Sequence, residues 1–405
     1  TDADFRRGVY TALAHGAKAL DFFQVGPEHA GTENYIRHDD LARYRTVRDV
    51  TYEIGAVDDL LADGAMRAAS AAIILSESTD LWERATPGVA SGLNPRPGFP
   101  SIAYNAERKF LWLALRHAQV PIDFITEEDL AAGGAGAYRV LYLVGDHLAT
   151  NAAVGLASWV AAGGTLISTA GGGILDEYDR PLATLQPVFG LRSQQLEKRE
   201  TFIRPRIELP RLEPLDTLTA DLDRQPVEVP ALAFRQELEP SAGTDVLARY
   251  SDGTAAATSH RYGSGLAILW GSLIGAAYVQ SGFPSELPPP DRGPFTHTPL
   301  VDFSPERRTL IALPTQGLPR NWAECSDHLV ETGLLETERA LLIPLASLAE
   351  TPRTVQLTVH AVGRANGVRS VRRGPLAFVQ QNDVVRCTLD LDVTDFVVIE
   401  RQPNA

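Results

Sequence analysis

Cysteine is scarce in this chain of 405 residues, which has only Cys325 and Cys387. Two cysteines can build neither a disulfide framework nor a cysteine-rich zinc site. One disulfide between them stays open as an alternative, although two free thiols are favoured. The nine histidines are scattered, and no HxxxH or HExxH spacing occurs. The sequence therefore predicts neither a metal site nor a cofactor.

Long apolar runs are also absent, since no stretch of about eighteen apolar residues occurs, and this argues against a membrane span. The N-terminal segment lacks the charged start and apolar stretch of a signal peptide, and it does not begin with Met. The compartment is left open, with the cytoplasm slightly favoured. The net charge of −14 comes without a basic stripe, so we expect no nucleic-acid partner.

A hydrophobic content of 44% over 405 residues predicts two or three globular domains. Residues 5–14 have a helical apolar rhythm, and residues 17–25 have the length and aromatic content of a buried strand. A helix that leads into a strand at the very start suggests entry in the middle of a domain. After a polar loop, Asp39 or Asp40 is expected to cap a helix that runs to about Ala62.

Strand-like and helix-like segments alternate from residue 71 to residue 190, which predicts a parallel sheet covered by helices. The expected helix over 105–119 places Phe110, Leu111, Ala114, Leu115 and Ala118 on one face, with Asn105 as its N-cap. We therefore predict a small doubly wound, flavodoxin-like α/β domain.

The second half of the chain is mostly strand-like. Residues 191–240 are left unassigned, whereas 245–271 predict three strands with turns at Asp252-Gly253 and at Gly263-Ser264-Gly265. Residues 284–299 have the proline density of a linker. The strand-like runs that follow it predict a small β-sandwich.

Glycine-rich turns occur at 163–164 and 171–173, but neither matches GxGxxG or the P-loop, so a helix cap and a tight turn are favoured over a phosphate site. No GxSxG occurs, because the nearest string, around Ser264, is a hairpin turn. A class I amidotransferase needs a cysteine at a strand-to-helix elbow, and this chain has Gly145, Asp146 and His147 there. Asp146 and His147 are therefore interpreted as loop and cap residues rather than as members of a triad.

Three polar segments remain as candidate sites. Residues 127–129 are three acids that suit the first turn of a helix, whereas 176–179 follow a strand at the carboxyl edge of the sheet, where ligands bind. The loop over 26–40 follows a predicted strand, and its candidates are Glu28, His29, Glu33 and Asn34. A purely solvated loop is an equally weighted alternative there.

Several segments, ALAHGAKALDFFQV, AAIILSESTDLWE, WVAAGGTLISTAGG and FGL, together with Glu33, resemble glycoside hydrolase family 42 over most of the chain. The resemblance implies a TIM barrel, an amidotransferase-like α/β trimerisation domain without a nucleophile, and a small C-terminal β-domain. It also implies that 5–25 are the last helix-to-strand passage of the barrel. Both catalytic glutamates would then lie upstream of Thr1.

The same resemblance implies a sugar-binding loop, in which the family has Phe-Gln-Trp and an acid followed three positions later by His. Gln24 and Glu33 match that pattern and are the predicted substrate-binding residues. Val25 and Ile36 stand in place of the Trp and the His, which puts galactose specificity in doubt.

These inferences predict an α/β chain with an incomplete barrel end, an amidotransferase-like domain and a sandwich, divided at 1–68, 69–283, 284–299 and 300–405. The predicted function is that of the non-catalytic C-terminal part of a retaining β-galactosidase-like hydrolase. The predicted partners are a galactoside or related carbohydrate and two further copies in a homotrimer. The alternative is a stand-alone oligomerisation or carbohydrate-binding protein, against which the unpaired edges of an incomplete barrel argue.

Overall fold

A computed structural model describes residues 1–22, 25–26, 36–37, 40–89, 99–284, 286, 300 and 302–402. The chain divides into two compact units, one of residues 1–68 with 320–405 and the other of residues 69–319. The predicted linker over 284–299 falls almost wholly outside the described residues. The four predicted domain boundaries stay a prediction.

The helices are α1 (Asp2–Ala14), α2 (Leu41–Gly55), α3 (Asp58–Asp63), α4 (Glu77–Ala85), α5 (Ala103–His117), α6 (Glu127–Ala131), α7 (Thr150–Ala161), α8 (Ile274–Gln280) and α9 (Pro305–Ala312), with 3₁₀ turns at Gly134–Ala137, Leu209–Arg211 and Leu313–Thr315. The strands are β1 (Val25–Gly26), β2 (Ile36–Arg37), β3 (Ala65–Met66), β4 (Ala71–Leu75), β5 (Asp123–Thr126), β6 (Val140–Leu143), β7 (Thr165–Ser168), β8 (Leu191–Lys198), β9 (Pro214–Leu222), β10 (Gln225–Leu232), β11 (Phe234–Pro240), β12 (Thr244–Tyr250), β13 (Ala255–Tyr262), β14 (Gly265–Trp270), β15 (Ala323–Cys325), β16 (Val330–Thr332), β17 (Leu335–Glu336), β18 (Ala340–Ser347), β19 (Arg353–Val359), β20 (Ala365–Ser370), β21 (Gly374–Pro375), β22 (Phe378–Gln381), β23 (Val384–Leu391) and β24 (Thr394–Arg401).

The unit of residues 69–319 is built on one mixed sheet. Its parallel part has the order β5-β4-β6-β7-β14, which is the strand order of flavodoxin-like folds. Antiparallel pairing then adds β13, β12, β9 and β10 beside β14. The three strands predicted over 245–271 are therefore confirmed, and they extend the parallel sheet.

Helices cover both faces of this parallel sheet. Alternate strand residues such as Leu141 and Leu143 pack with Leu156 of α7 in one buried cluster. On the opposite face, the hydroxyl of the fully buried Tyr142 donates to the Ile311 carbonyl of α9 at 2.9 Å. The period-two alternation of apolar residues thus places a core on each side of the sheet.

The described residues of the unit 1–68 with 320–405 form two larger sheets, the short parallel pair β1-β2 and a layer of helices. The larger sheet runs β21-β20-β24-β18-β17-β3, and the smaller runs β15-β19-β23-β22. Leu341 and Ile343 of β18 face the smaller sheet across one buried cluster, whereas Leu342 packs with Val9 and Leu13 of α1 in another. Strand β18 is therefore buried on both faces.

Two local predictions are wrong in instructive ways. Helix α5 begins at Ala103, two residues before the predicted cap Asn105, because the Glu83 carboxylate accepts from the backbone N–H groups of Tyr104 and Asn105. Residues 17–22 form no strand, and Lys18 instead donates to the carbonyl groups of Leu61 and Gly64 at the end of α3. The Asp40 cap is confirmed, although the helix that it starts ends at Gly55.

Candidate functional site

The two predicted substrate-binding residues, Gln24 and Glu33, lie outside the described residues, as do Glu28, His29 and Asn34. Their role stays a prediction. The polar cluster that the structure does describe lies in the unit of residues 69–319, where the turns after β4, β6 and β7 meet. The carboxyl ends of parallel strands are the edge at which open α/β sheets bind ligands.

Gly145 forms the sharp turn after β6. In a class I amidotransferase the nucleophile elbow would occupy this position. The φ of +146° at Gly145 favours glycine, and a Cβ there would overlap the Thr79 side chain of α4. The hydroxyl groups of Ser76 and Thr79 both donate to the His147 carbonyl, at 2.8 and 2.7 Å. The turn is thus held by α4, and no nucleophilic side chain fits at position 145.

His147 lies between two carboxylates. Its Nδ1 is 2.9 Å from Oδ1 of Asp146, and its Nε2 is 3.0 Å from Oδ1 of Asp179. The Trp82 indole stacks on the imidazole, with ring centroids 5.5 Å apart and planes 14° apart. Because a carboxylate accepts at each ring nitrogen, this arrangement favours the doubly protonated imidazolium.

Lys198 of β8 supplies a second cation to the cluster. Its ammonium group donates to the carboxylate of Asp146, whose side chain is only 3% exposed. The same ammonium lies 5.1 Å from the ring centroid of Tyr104 and 5.7 Å from that of Phe234. These rings limit the access of water to the ion pair and add a cation–π attraction.

The environment shifts both acid–base groups of the turn toward their charged forms. Burial opposes ionisation of Asp146, but the hydrogen bond from His147 and the charge of Lys198 lower the pKa of its carboxyl below 3.8. Burial likewise opposes protonation of His147, but its bonds with Asp146 and Asp179 raise its pKa above 6.5. An imidazolium with both nitrogens occupied is a poor general base, so the cluster is suited to fixing loops.

The two acidic segments singled out in the sequence also serve local structure. Glu127 is buried and accepts from the Ser76 and Ser78 hydroxyl groups at 2.6 and 2.8 Å, while Asp129 forms a capping box with Thr126. The start of a helix predicted for 127–129 is therefore confirmed. In the second segment, Glu177 accepts from the Thr150 N–H at 2.8 Å, at the start of α7, and Asp176 accepts from two N–H groups of its own turn.

Among the buried carboxylates that sequence reasoning missed, Glu83 and Glu107 each cap a helix. Glu83 caps α5, and Glu107 caps α8 by accepting from the N–H groups of Gly275 and Ala276 at 2.8 and 2.7 Å. Burial raises the pKa of Glu83 to about 7 and that of Glu107 to about 8. Their partners are 21 and 168 residues away in the sequence, so no local motif marks them.

Both cysteines are buried thiols outside any disulfide, in the sheets of the other unit, as the favoured interpretation predicted. Burial raises the pKa of each to about 11. The part of the chain that the structure describes contains no group of three or more His, Cys, Asp or Glu side chains that could hold a metal ion. Nor does any helix in that part have the length and apolar character needed to span a bilayer.

Comparison with known proteins agrees with this description. A family model described as the beta-galactosidase trimerisation domain matches residues 72–283, which is more than half of the chain. No curated protein matches the chain. The chain is similar in fold to several solved structures, and it spans about half the length of those most similar to it.

One such structure is Gan42B, a GH42 beta-galactosidase from G. stearothermophilus, with 16% identity, a TM-score of 0.67, and coverage of 99% of this chain and 51% of that one. Another is the beta-galactosidase from Bacillus circulans sp. alkalophilus, with 18% identity, a TM-score of 0.66, and coverage of 99% and 52%. The alpha-L-fucosidase isoenzyme 2 from Paenibacillus thiaminolyticus has 13% identity, a TM-score of 0.62, and coverage of 99% and 57%. The chain belongs to the GH42 beta-galactosidase-like glycoside hydrolases, and it contains their trimerisation domain.

Proposed function

We propose that residues 1–405 are the non-catalytic C-terminal part of a retaining β-galactosidase-like hydrolase, whose longer form cleaves terminal β-galactosides or related bonds. The observation that carries the proposal is the match of 99% of this chain to about half of each GH42 beta-galactosidase chain. A C-terminal part of such an enzyme would match the chains of the family over only part of their length, as this chain does.

The carboxylates of the described residues support the proposal that this chain is not the catalytic part. A retaining glycosidase needs two carboxyl groups about 5 Å apart on either side of the scissile bond, one as acid and one as nucleophile. The buried carboxylates described above are committed elsewhere, since Glu83 and Glu107 cap helices and Asp146 pairs with His147 and Lys198. The catalytic pair is therefore proposed to lie upstream of Thr1.

Residues 1–68 are proposed to be the last β/α unit of the barrel, and Gln24 and Glu33 to contact the sugar there. A carboxylate at position 33 would accept hydrogen bonds from sugar hydroxyl groups, and the amide of Gln24 can both donate and accept. In the longer protein, Glu33→Ala would raise the KM for a galactoside more than it lowers kcat, because these residues bind rather than react.

The gene upstream of Thr1 provides the first test. An open reading frame of about 250 codons that encodes a (β/α)₈ barrel is expected there. A stop codon followed by a start at this point would overturn the proposal and favour a stand-alone oligomerisation or carbohydrate-binding protein.

Hydrolysis of nitrophenyl-β-galactoside provides the second test. The 405-residue chain is expected to release no nitrophenol, whereas the longer protein releases it. Turnover by the 405-residue chain that Glu33→Ala abolishes would refute the placement of catalysis outside it.

A further inference from the structure

The edge of the parallel sheet opposite the His147 cluster carries an open groove. The groove has a volume of about 490 Å³ and lies where β6 and β7 begin. Its walls include Tyr138, Arg139, Trp159, the Gly163-Gly164 turn and Pro314. Its volume is within the usual range for small-ligand sites.

Trp159 forms a flat, fixed wall of this groove. A Cβ at Gly164 would come within 2.5 Å of the indole atoms Cδ2 and Cε2, so the ring lies directly against the glycine backbone. Trp159 also packs on the buried core of the α/β unit while it stays partly exposed. Any side chain at position 164 would therefore displace the indole from this wall.

Two hydrogen-bond donors of the groove have no partner within the described residues. The Arg139 side chain is exposed, and its guanidinium makes no hydrogen bond or ion pair with any of these residues. The Trp159 indole N–H is likewise unpaired there. Tyr138 differs, since its hydroxyl lies 3.4 Å from Oδ2 of Asp123. Both donors are open to solvent, and an occupant that replaces this water has to offer acceptors beside an apolar face.

A pyranose ring meets both requirements, because its C–H face packs on the negative face of an aromatic ring while its hydroxyl oxygens accept from N–H donors. Galactose suits a flat platform because its axial hydroxyl lies opposite its most apolar face. A simple anion would use Arg139 alone and leave the indole uncovered, and a protein partner needs about 800 Å² of surface.

We propose that this groove is a non-catalytic site for a galactose-containing oligosaccharide, with Trp159 as the stacking platform and Arg139 as the donor. The choice of galactose rests on the proposed function, whereas the groove itself does not.

The test is the binding of β-1,4-galactotetraose to the 405-residue chain by isothermal titration calorimetry and saturation-transfer NMR. Arg139→Ala, at an exposed position, is expected to weaken binding at least about ten-fold, and Trp159→Ala to abolish it. Trp159→Phe keeps a platform and is expected to retain part of the affinity. Arg84→Ala is the matched control, because Arg84 is an exposed arginine on α4, beside the opposite edge of the sheet.

Other outcomes overturn the proposal. If Glu33→Ala abolishes binding and Arg139→Ala leaves it unchanged, the sugar binds in the barrel segment and the groove is no site. Phosphate that competes fully with the saccharide would make the groove a simple anion site. Loss of binding in every folded variant, Arg84→Ala included, would show that the contacts are nonspecific. None of these results depends on hydrolysis, so the proposed function can fail or stand separately.

Discussion

At the scale of single residues, His147 is held by two carboxylates of very different exposure. The Asp146 side chain is 3% exposed and the Asp179 side chain is 51% exposed. His147→Ala leaves Asp146 without one of its two cations, and we expect a loss of about 2 kcal/mol in the free energy of unfolding. Asp179→Asn should cost less than about 1 kcal/mol, because solvent screens that pair. Urea unfolding of both variants decides this, and equal losses would contradict it.

The stability that this cluster contributes depends on pH, and the pKa shifts of its groups give the direction of that dependence. The pKa of His147 is raised above 6.5, so its stabilising bonds are fully present below that pH and are lost as the pH rises through the folded-state pKa. The pKa of Asp146 is lowered from 3.8, so its contribution is present above that pH and is lost on acidification. NMR titration of the His147 imidazole should show a lower pKa in Asp179→Asn than in the parent. An unchanged pKa would refute the hydrogen bond between His147 and Asp179.

Glu107 is the buried group from which we expect the largest pH effect. Burial raises its pKa from 4.5 to about 8, so the stability linked to its protonation is lost as the pH rises through about 8. Glu107→Gln loses one of the two accepted N–H bonds at every pH, because an amide nitrogen cannot accept, but it cannot ionise, so its free energy of unfolding should not show the decline of at least about 1 kcal/mol between about pH 5 and about pH 9 that we expect of the parent. Urea unfolding at both pH values measures this, with the exposed Glu128→Gln as control. A parent-like decline in Glu107→Gln would contradict it.

The sequence predicted the loop role of Asp146 and His147 but not the residues that complete their cluster. Lys198 lies 52 residues from Asp146 along the chain, on a strand within the segment left unassigned. Asp179 belongs to the acidic segment 176–179 that the sequence singled out. The sequence did not predict that Asp179 contacts His147. Contacts between distant strands depend on sheet order, which local patterns do not specify.

At the scale of elements, the turn after β6 depends on Gly145. Both Gly145 and Gly133 have positive φ, at +146° and +83°, but only at Gly145 would a Cβ overlap another side chain. Gly133→Ala is therefore expected to cost about 1 kcal/mol, from backbone strain alone. Gly145→Ala should cost at least about 2 kcal/mol more, because Thr79 must also move. Thermal and urea unfolding of the pair provide the measurement, and similar losses would show that α4 does not restrain the turn.

Strand β18 shows why the type of an element was easier to predict than the elements that pack on its two faces. Its run ALLIPLAS reads as a strand from composition, and that prediction is confirmed. Every residue of the strand is buried, so alternation does not tell a sandwich strand from one covered on both faces. The helices α1 to α3 that cover its second face come from the opposite end of the chain. Their sequence was interpreted as barrel, and nothing local links them to residues 340–347.

At the scale of the whole molecule, the trimerisation domain implies an oligomer, and a homotrimer is the proposed form. The α/β unit exposes apolar side chains near the Trp82–Glu177 contact, with Leu81 57% and Tyr178 66% exposed. Burying two such side chains would contribute about 1–3 kcal/mol each to association. The charge of −14 per chain opposes association, so salt should strengthen it.

Sedimentation equilibrium is therefore expected to give a mass about three times the 43.9 kDa of the chain, with tighter association at higher salt. The double variant Leu81→Ser with Tyr178→Ser should shift the equilibrium toward monomer by at least about ten-fold in dissociation constant. Val379→Ser is the control, because Val379 is 59% exposed but belongs to the other unit. A monomer at all concentrations would refute the trimer. A trimer that the double variant leaves intact would move the interface away from Leu81 and Tyr178, since removing buried apolar area must weaken any interface that contains it.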